Sequence, residues 1–322
     1  MSDPEIVLQT QHLTKRYGDL TAVDDLSLDV YAGEIFGLLG PNGAGKTTSI
    51  NLMCGLLKPE AGQVLIQNKP IQESSAEMHA RVGVCPQNTI LWDKLTCMEQ
   101  MEFVGEMYGM RRSRARARSA ELLEVLGLAE QSRRLASVLS GGMKRRLNLA
   151  LALVHDPEIV VLDEPEAGLD PQSRVLVREY IRSLAGSGTS HPRTVILTTH
   201  NMDEADRMAD RVAIIDHGKL LVLDAPEALK QRLGPGDTVE IKLVDGLADE
   251  VMARQALEDI ASEVKLETQA RILHVRALHA VGRLADILQA LIAAGFHPGE
   301  VSLRPNSLED VFIQLTGRRL RE

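Results

Sequence analysis

The sequence has few aromatics, few cysteines and no long apolar run. Aromatic residues make up 3% of the 322 positions. The core must therefore rest on Leu, Val, Ile, Ala and Met, and a surface built to stack unpaired bases is disfavoured. The three cysteines, Cys54, Cys85 and Cys97, lie far apart with no C-x-x-C pair. That spacing argues against a disulfide framework or a zinc site, and suits small buried hydrophobes in a reduced compartment. No stretch approaches the ~20 apolar residues needed to span a bilayer, so a membrane function would require a separate partner chain. Met1 to Glu5 lacks the basic end and apolar run of a signal peptide. Positive charge is not in excess either. The net charge of −9 argues against broad binding to nucleic acid or anionic lipid.

What is present is ordinary for a soluble globular protein: 44% apolar and 25% charged residues. The length suggests one large domain plus a smaller one. Ile6 to Leu13 reads as extended, and Ala22 to Val30 alternates as a half-exposed strand does. Ile35 to Leu39 is a continuous apolar run, suited to a strand buried on both faces. A glycine-rich segment follows at once, and Thr47 to Leu57 can be helical. Two more buried runs, Ile159 to Leu162 and Thr194 to Leu197, end in Asp163-Glu164 and Thr198-Thr199-His200. Ligands of parallel α/β sheets sit beyond the carboxyl ends of strands. Three strand ends thus bring lysine, carboxylates and histidine to one edge. Val212 to Ile215 and Lys219 to Leu223 suggest a hairpin turning at Asp216-His217-Gly218. Leu95 to Leu128 is a helix-rich insertion. A boundary falls near Gly234-Pro235-Gly236. Beyond it the order βαββαβ suits a ferredoxin-like domain.

Gly40-x-x-x-x-Gly45-Lys46-Thr47 satisfies the phosphate-loop pattern, and the strand before it supplies the required context. Its glycines let backbone N–H groups surround phosphate oxygens, and the following helix adds its positive end. Lys46 can reach the β- and γ-phosphates, and the Thr47 hydroxyl can ligate magnesium. Asp163 is placed to hold magnesium and Glu164 to polarise the attacking water. Alone, such a pair also suits a cap or a surface; downstream of a phosphate loop the catalytic reading is favoured. Leu139-Ser140-Gly141-Gly142 at a helix start makes a second anion site. One nucleotide does not need two such loops, so the second is expected to serve another subunit. That implies a homodimer with ATP sandwiched between chains.

The ordered set resembles the ABC ATPase family: GPNGAGKT at 40–47, Gln87 in VCPQN, LSGG at 139–142, VVLDEP at 160–165, GLD at 168–170 and TTH at 198–200. The resemblance spans roughly Ile6 to Leu223. It implies an α/β fold with a RecA-like core, an antiparallel β subdomain and a helical subdomain at about 88–157, together forming an ATPase domain over 1–233. The small α+β ferredoxin-like domain would occupy 234–322. The implied activity is ATP hydrolysis coupled to transport, with ATP and Mg2+ as cofactors. The resemblance makes Glu164, His200, Lys46 and Gln87 catalytic. It puts Tyr17 on adenine and adds Val23, Asn42, Gly43, Ala44, Gly45, Lys46, Thr47, Thr48, Gln87 and Asp163 to the nucleotide site. Thr47, Gln87 and Asp163 would hold the metal. Ser140, Gly141, Gly142 and Asp170 would act in trans. Two positions depart from the pattern. Met143 replaces the usual signature Gln, and Glu166 stands where Thr or Ser is common.

Met143 with Lys144-Arg145-Arg146-Leu147, Pro86-Gln87-Asn88 with Leu95-Thr96, and Ser307 to Phe312 are similar to the drug-resistance and nodulation-factor exporters. Such a subunit would work on the cytoplasmic face of the cell membrane beside separate integral permease subunits, with no nucleic acid. A soluble ABC ATPase acting on ribosomes or DNA is the competing function. That branch usually carries two cassettes or long coiled coils, which this chain lacks. A phosphate-loop kinase would leave the LSGG loop unexplained. The basic run Arg111 to Arg118 reads as a solvated face, a lipid-headgroup contact or, least favoured, a nucleic-acid contact.

Overall fold

Apolar alternation builds the first sheet and continuous apolar runs build the second. The computed structural model describes residues 5–71, 80–186, 192–233, 236–246 and 249–317. Met1 to Pro4, Gly234 and Pro235 lie outside the described residues. The chain forms two contact-defined units, Met1–Asp224 and Ala225–Glu322.

In the first unit β1 (Ile6–Tyr17) and β2 (Leu20–Tyr31) pair antiparallel. After β3 (Ile35–Leu39), the strands β4 (Ala61–Ile66) and β5 (Lys69–Pro70) complete a sheet ordered β2-β1-β4-β5. β3 belongs to a six-stranded sheet with β6 (Val82–Cys85), β7 (Ile159–Asp163), β8 (Thr194–Thr199), β9 (Arg211–Asp216) and β10 (Lys219–Asp224). Its order is β10-β9-β3-β8-β7-β6. All its pairings are parallel except the β9–β10 hairpin. Every residue of β3, β7 and β8 is buried, which explains their unbroken apolar runs. The edge strand β6 carries little apolar pattern because it contains Gly83. A Cβ there would lie 2.1 Å from the carbonyl oxygen of Ala152, so close packing demands the glycine.

Helix α1 (Lys46–Met53) follows β3 and ends before Leu57, the expected limit. Between β6 and β7 run α2 (Cys97–Met107), α3 (Arg112–Val125) and α4 (Gly141–Leu153). Their buried faces share one apolar cluster, including Met101, Leu122, Leu147 and Leu153. The basic run is a solvated face of α3 knitted to acidic neighbours. Arg112 and Arg116 reach Glu102, and Arg118 reaches Glu121 at 2.9 Å. The sheet is completed on its flank by α5 (Pro171–Leu184) and α6 (Met202–Met208). All three cysteines are free and buried; burial pushes the Cys54 and Cys85 thiols up to about 12 and about 11.

The second unit begins with α7 (Pro226–Leu233), earlier than the sequence boundary near 234, because α7 packs with the last helix of the chain. Next come β11 (Asp237–Gly246), α8 (Glu250–Ala256), β12 (Glu263–Glu267), β13 (Ile272–Ala277), α9 (Ala280–Ala293), β14 (Phe296–Arg304) and α10 (Leu308–Thr316). The sheet order is β12-β13-β11-β14, all antiparallel. This is the split βαβ arrangement of ferredoxin-like folds. The motif Ser307 to Phe312 has a structural reason. Ser307 and Asp310 form a capping box, and Leu308, Val311 and Phe312 are buried. Burial pushes the Asp310 carboxyl up, but the Ser307 hydroxyl and Arg304 outweigh it and hold the group below its ordinary value. Replacing Ser307 by Ala should cost about 1 kcal/mol of stability in this unit, seen as a lower denaturant midpoint of the full chain. Unchanged stability would remove the box from the account of why this helix starts here.

Candidate functional site

The β3–β8 and β7–β8 registers bring three strand ends flush. Leu39 pairs with Thr199, and Asp163 pairs with Thr198. Residues just beyond these ends must therefore meet. Lys46 opens α1, Glu164 follows β7 and His200 follows β8.

The glycine loop is shaped by its backbone. Gly43 and Gly45 have φ of 81° and 99°, the left-handed region that favours glycine. At Gly45 a Cβ would lie 2.2 Å from the carbonyl oxygen of Ala22. The loop thus presses directly on β2. Beside it lies a cleft of about 430 Å3 lined by Tyr17, Asn42, Gly43, Lys46, Thr47, Thr48, Gln87 and Glu164, among others. Tyr17, at the end of β1, is 49% exposed. The expectation for Val23 is corrected. Its side chain is fully buried in the core, and its neighbours Ala22 and Thr21 line the cleft instead. Ala44 is likewise buried, its N–H donating to the Pro41 carbonyl at 3.2 Å. His217 also lines the cleft and was legible only as a hairpin turn. Its place comes from the next residue: Gly218 approaches Ala22 so closely that a Cβ would meet its carbonyl oxygen at 2.8 Å.

Charged groups converge at the floor. Lys46 Nζ donates to the carbonyl oxygens of Gly40 and Pro41 at 2.8 and 3.1 Å, and lies 3.9 Å from Glu164. Burial pushes the Lys46 ammonium below its ordinary pKa, while the Glu164 and Asp163 charges pull it back up. Thr47 Oγ1 donates to Asp163 Oδ2 at 3.0 Å, and Thr198 Oγ1 holds the other Asp163 oxygen. Glu164 is held at both oxygens. Gln87 Nε2 donates to Oε2 at 3.0 Å, and His200 Nδ1 lies 2.8 Å from Oε1. A carboxylate only accepts, so Nδ1 carries the hydrogen. Glu164 also has φ of 49°, a left-handed conformation that is costly outside glycine.

Oxygen donors predominate around Thr47 and Asp163, which suits a small hard cation. The hydroxyl, the carboxylate and the Gln87 amide oxygen form the set that would hold magnesium.

Ser140, Gly141, Gly142 and Asp170 do not line this cleft. Ser140 caps α4, its hydroxyl accepting from Met143 N–H at 3.3 Å. A Cβ at Gly141 would meet no atom within 4 Å, whereas one at Gly142 would lie 3.6 Å from Asp170 Oδ2. Met143 packs its side chain against the helical cluster. Asp170 caps α5, accepting from Ser173 N–H at 3.0 Å and its hydroxyl at 2.7 Å; these bonds hold its carboxyl below its ordinary value.

Two residues singled out by sequence have a different place. Glu166 is fully buried and forms a two-pronged ion pair with Arg178 of α5, at 3.0 and 2.8 Å. Its carboxylate is spent on packing the loop against the helix. Arg145, read only as a subfamily marker, is 5% exposed and donates to backbone carbonyls of residues 86, 87, 163, 164 and 165. Spacing alone gave no sign of this, because its acceptors lie on segments distant in the chain.

Residues 23–167 match the family described as ABC transporter. Similarity to curated proteins extends over nearly the whole chain. Daunorubicin resistance ATP-binding protein DrrA3 of Streptomyces coeruleorubidus is 38% identical, with 96% of each chain covered. The chain belongs to the ABC transporter family. Nod factor export ATP-binding protein I of Paraburkholderia xenovorans is 39% identical over 99% of this chain and 100% of that protein. Linearmycin resistance ATP-binding protein LnrL of Bacillus subtilis is 36% identical, covering 98% and 100%. Among solved structures, an ATP-binding subunit of an ABC transporter superposes with a TM-score of 0.64 at 24% identity, covering 70% of this chain and 92% of that one. A dimeric ATP-binding cassette in a post-hydrolysis state gives 0.62 at 24%, covering 68% and 98%. These two likenesses support the fold. The protein is thus the ATP-binding, ATP-hydrolysing subunit of a membrane ABC transporter, an ATPase with a RecA-like core and a helical subdomain. Among the described residues no helix is long and apolar enough to cross a membrane.

The Glu166 pair gives a test of the ABC site's limits. Replacing Glu166 by Ala strands the Arg178 charge and should cost about 3 kcal/mol in a denaturant titration. Hydrolysis per folded molecule should fall by less than about tenfold, or about 1.4 kcal/mol of barrier. A larger loss with intact stability would move Glu166 into the catalytic set.

Proposed function

We propose that the chain powers an exporter by closing as a homodimer around two ATP molecules, on the cytoplasmic face of a membrane. The observation that carries this is the separation of its two anion loops. Gly40 to Thr47 borders the cleft, while Ser140, Gly141 and Gly142 at the start of α4 do not line it. A second copy would complete each site, with Ser140, Gly141, Gly142 and Asp170 facing the nucleotide of the other chain.

In this reading Tyr17 stacks on adenine. The Asn42 to Thr48 backbone and Lys46 take the phosphates. Glu164 orients and accepts a proton from the attacking water. His200 and Gln87 hold its two oxygens in register, and His200 contacts the γ-phosphate once the dimer closes. Thr47, Asp163 and Gln87 would hold Mg2+, whose charge would neutralise that developing on the transferred phosphoryl. ATP bridges the two chains; its hydrolysis removes the bridging γ-phosphate and reopens them.

An exposed apolar patch on the helical subdomain supports docking to separate permease subunits. Ile90, Phe103 and Met107 are 65%, 47% and 68% exposed, and Trp92 stacks edge-on with Phe103 at 5.5 Å. Export follows from relatives whose printed names concern drug resistance or Nod factor export, and which match over this chain's second unit as well.

Replacing Lys46 by Ala should lower turnover at least ~100-fold, the scale for losing a positioned charge donor. Near-normal hydrolysis would remove that residue from the site. Replacing Glu164 by Gln should retain ATP and trap a dimer, read by size-exclusion chromatography with MgATP. A persistent monomer would sink the sandwich. Affinity purification from membranes should recover an integral protein; recovery of ribosomes instead would favour the soluble ATPase reading.

A further inference from the structure

Among the described residues of the first unit, the guanidinium of Arg145 is the most heavily committed side-chain group. Nε donates to the carbonyl oxygen of Pro165 at 3.4 Å. Nη1 donates to those of Pro86 and Gln87, the latter at 2.9 Å. Nη2 donates to those of Asp163 and Glu164, the latter at 2.9 Å. A guanidinium has five N–H donors in a planar fork, and here five carbonyls receive them. The acceptors belong to two segments that the sequence keeps far apart: the exits of β6 and β7. Their side chains include Gln87, Asp163 and Glu164. Asn148, one turn along α4, adds to the grip. Its Nδ2 donates to the Pro86 carbonyl, and its Oδ1 accepts from the N–H of Ile90, both at 3.3 Å.

This geometry has a mechanical meaning. Gln87 and Glu164 touch each other through their side chains at 3.0 Å. Arg145 joins the same two residues from behind, through their backbones. The Gln87–Glu164 spacing is therefore set by one rigid planar group. Glu164 also has a left-handed backbone, which persists only where surrounding bonds over-determine it. Arg145 takes its carbonyl, and Thr198 Oγ1 accepts from its N–H at 3.0 Å. The arginine stands on the helix that begins at Ser140, so the loop open to a second copy and the Gln87–Glu164 pair share one support.

We propose that Arg145 is a positioning residue for hydrolysis: its guanidinium fixes the Gln87 and Glu164 backbones relative to each other so that the Glu164 carboxylate is aimed at the attacking water. The inference rests on the proposed role of Glu164. Arg145 does not itself line the cleft and meets Gln87 and Glu164 only through their backbone carbonyls, so nucleotide binding does not depend on it directly. A lysine keeps the charge but offers three donors on one nitrogen and no planar fork, so it cannot reproduce the five-carbonyl grip on both segments.

The test compares wild type, Arg145→Lys and Arg145→Gln as full chains, in steady-state hydrolysis, fluorescent-ATP binding and thermal melting. Arg145→Lys should lower kcat at least about tenfold, the effect of slight misplacement of a reacting group, and leave the Kd for MgATP within about threefold. Arg145→Gln, with two donors, should be at least as impaired. A kcat near wild type in either variant overturns the proposal. So does a loss of kcat matched by an equal loss of ATP affinity, or failure of both variants to fold, since each would assign Arg145 to stability alone. Glu164→Gln run in parallel separates the two assignments. If it hydrolyses ATP normally, the reading of Glu164 fails on its own data, whatever Arg145→Lys does.

Discussion

Parallel pairing of β3, β8 and β7 is the constraint on which the ATP site depends. Backbone registers at Leu39–Thr199 and Asp163–Thr198 end three strands at one level. Each strand is buried on both faces, so a slip would expose apolar residues or strand backbone groups without partners. The sheet's hydrophobic requirement and the placement of Lys46, Glu164 and His200 are thus one requirement. The helices fill the faces and leave the carboxyl edge for chemistry.

Two neighbouring carboxylates show how environment divides like groups. Glu164 faces hydrogen-bond donors from Gln87 and His200 and lines the cleft. Glu166, two residues on, is turned inward and neutralised by Arg178. This departure from the family pattern ties the following loop to α5. Met143 is similar: its side chain packs on the helical cluster, while Ser140 and the glycine N–H groups remain at the open helix start.

Much of the fold was legible because local patterns were strong. The runs at 35–39, 159–162 and 194–197 are strands, and the second unit has the expected βαββαβ order. The β6 strand and β4 were missed. β6 is four residues long and holds a glycine that its packing requires; β4 begins with three exposed residues and so lacks an apolar run. Val23 was misplaced for a different reason. A motif assigns a residue to a neighbourhood, but core packing decides which side chains reach it: Val23 is buried in the core, and Thr21 and Ala22 line the cleft.

Motif spacing alone pointed to a phosphate loop, a carboxylate pair after a buried strand, a second glycine-rich loop at a helix start and a two-part chain. These are local features, carried by residues close in sequence. Only the folded chain decided that Gln87 and His200 hold Glu164, that Arg178 takes Glu166, and that Arg145 binds five carbonyls on two strand exits. The physical reason is the same in each case. A hydrogen bond joins groups that are near in space, and nothing in the order of residues states how far apart two strand ends will lie.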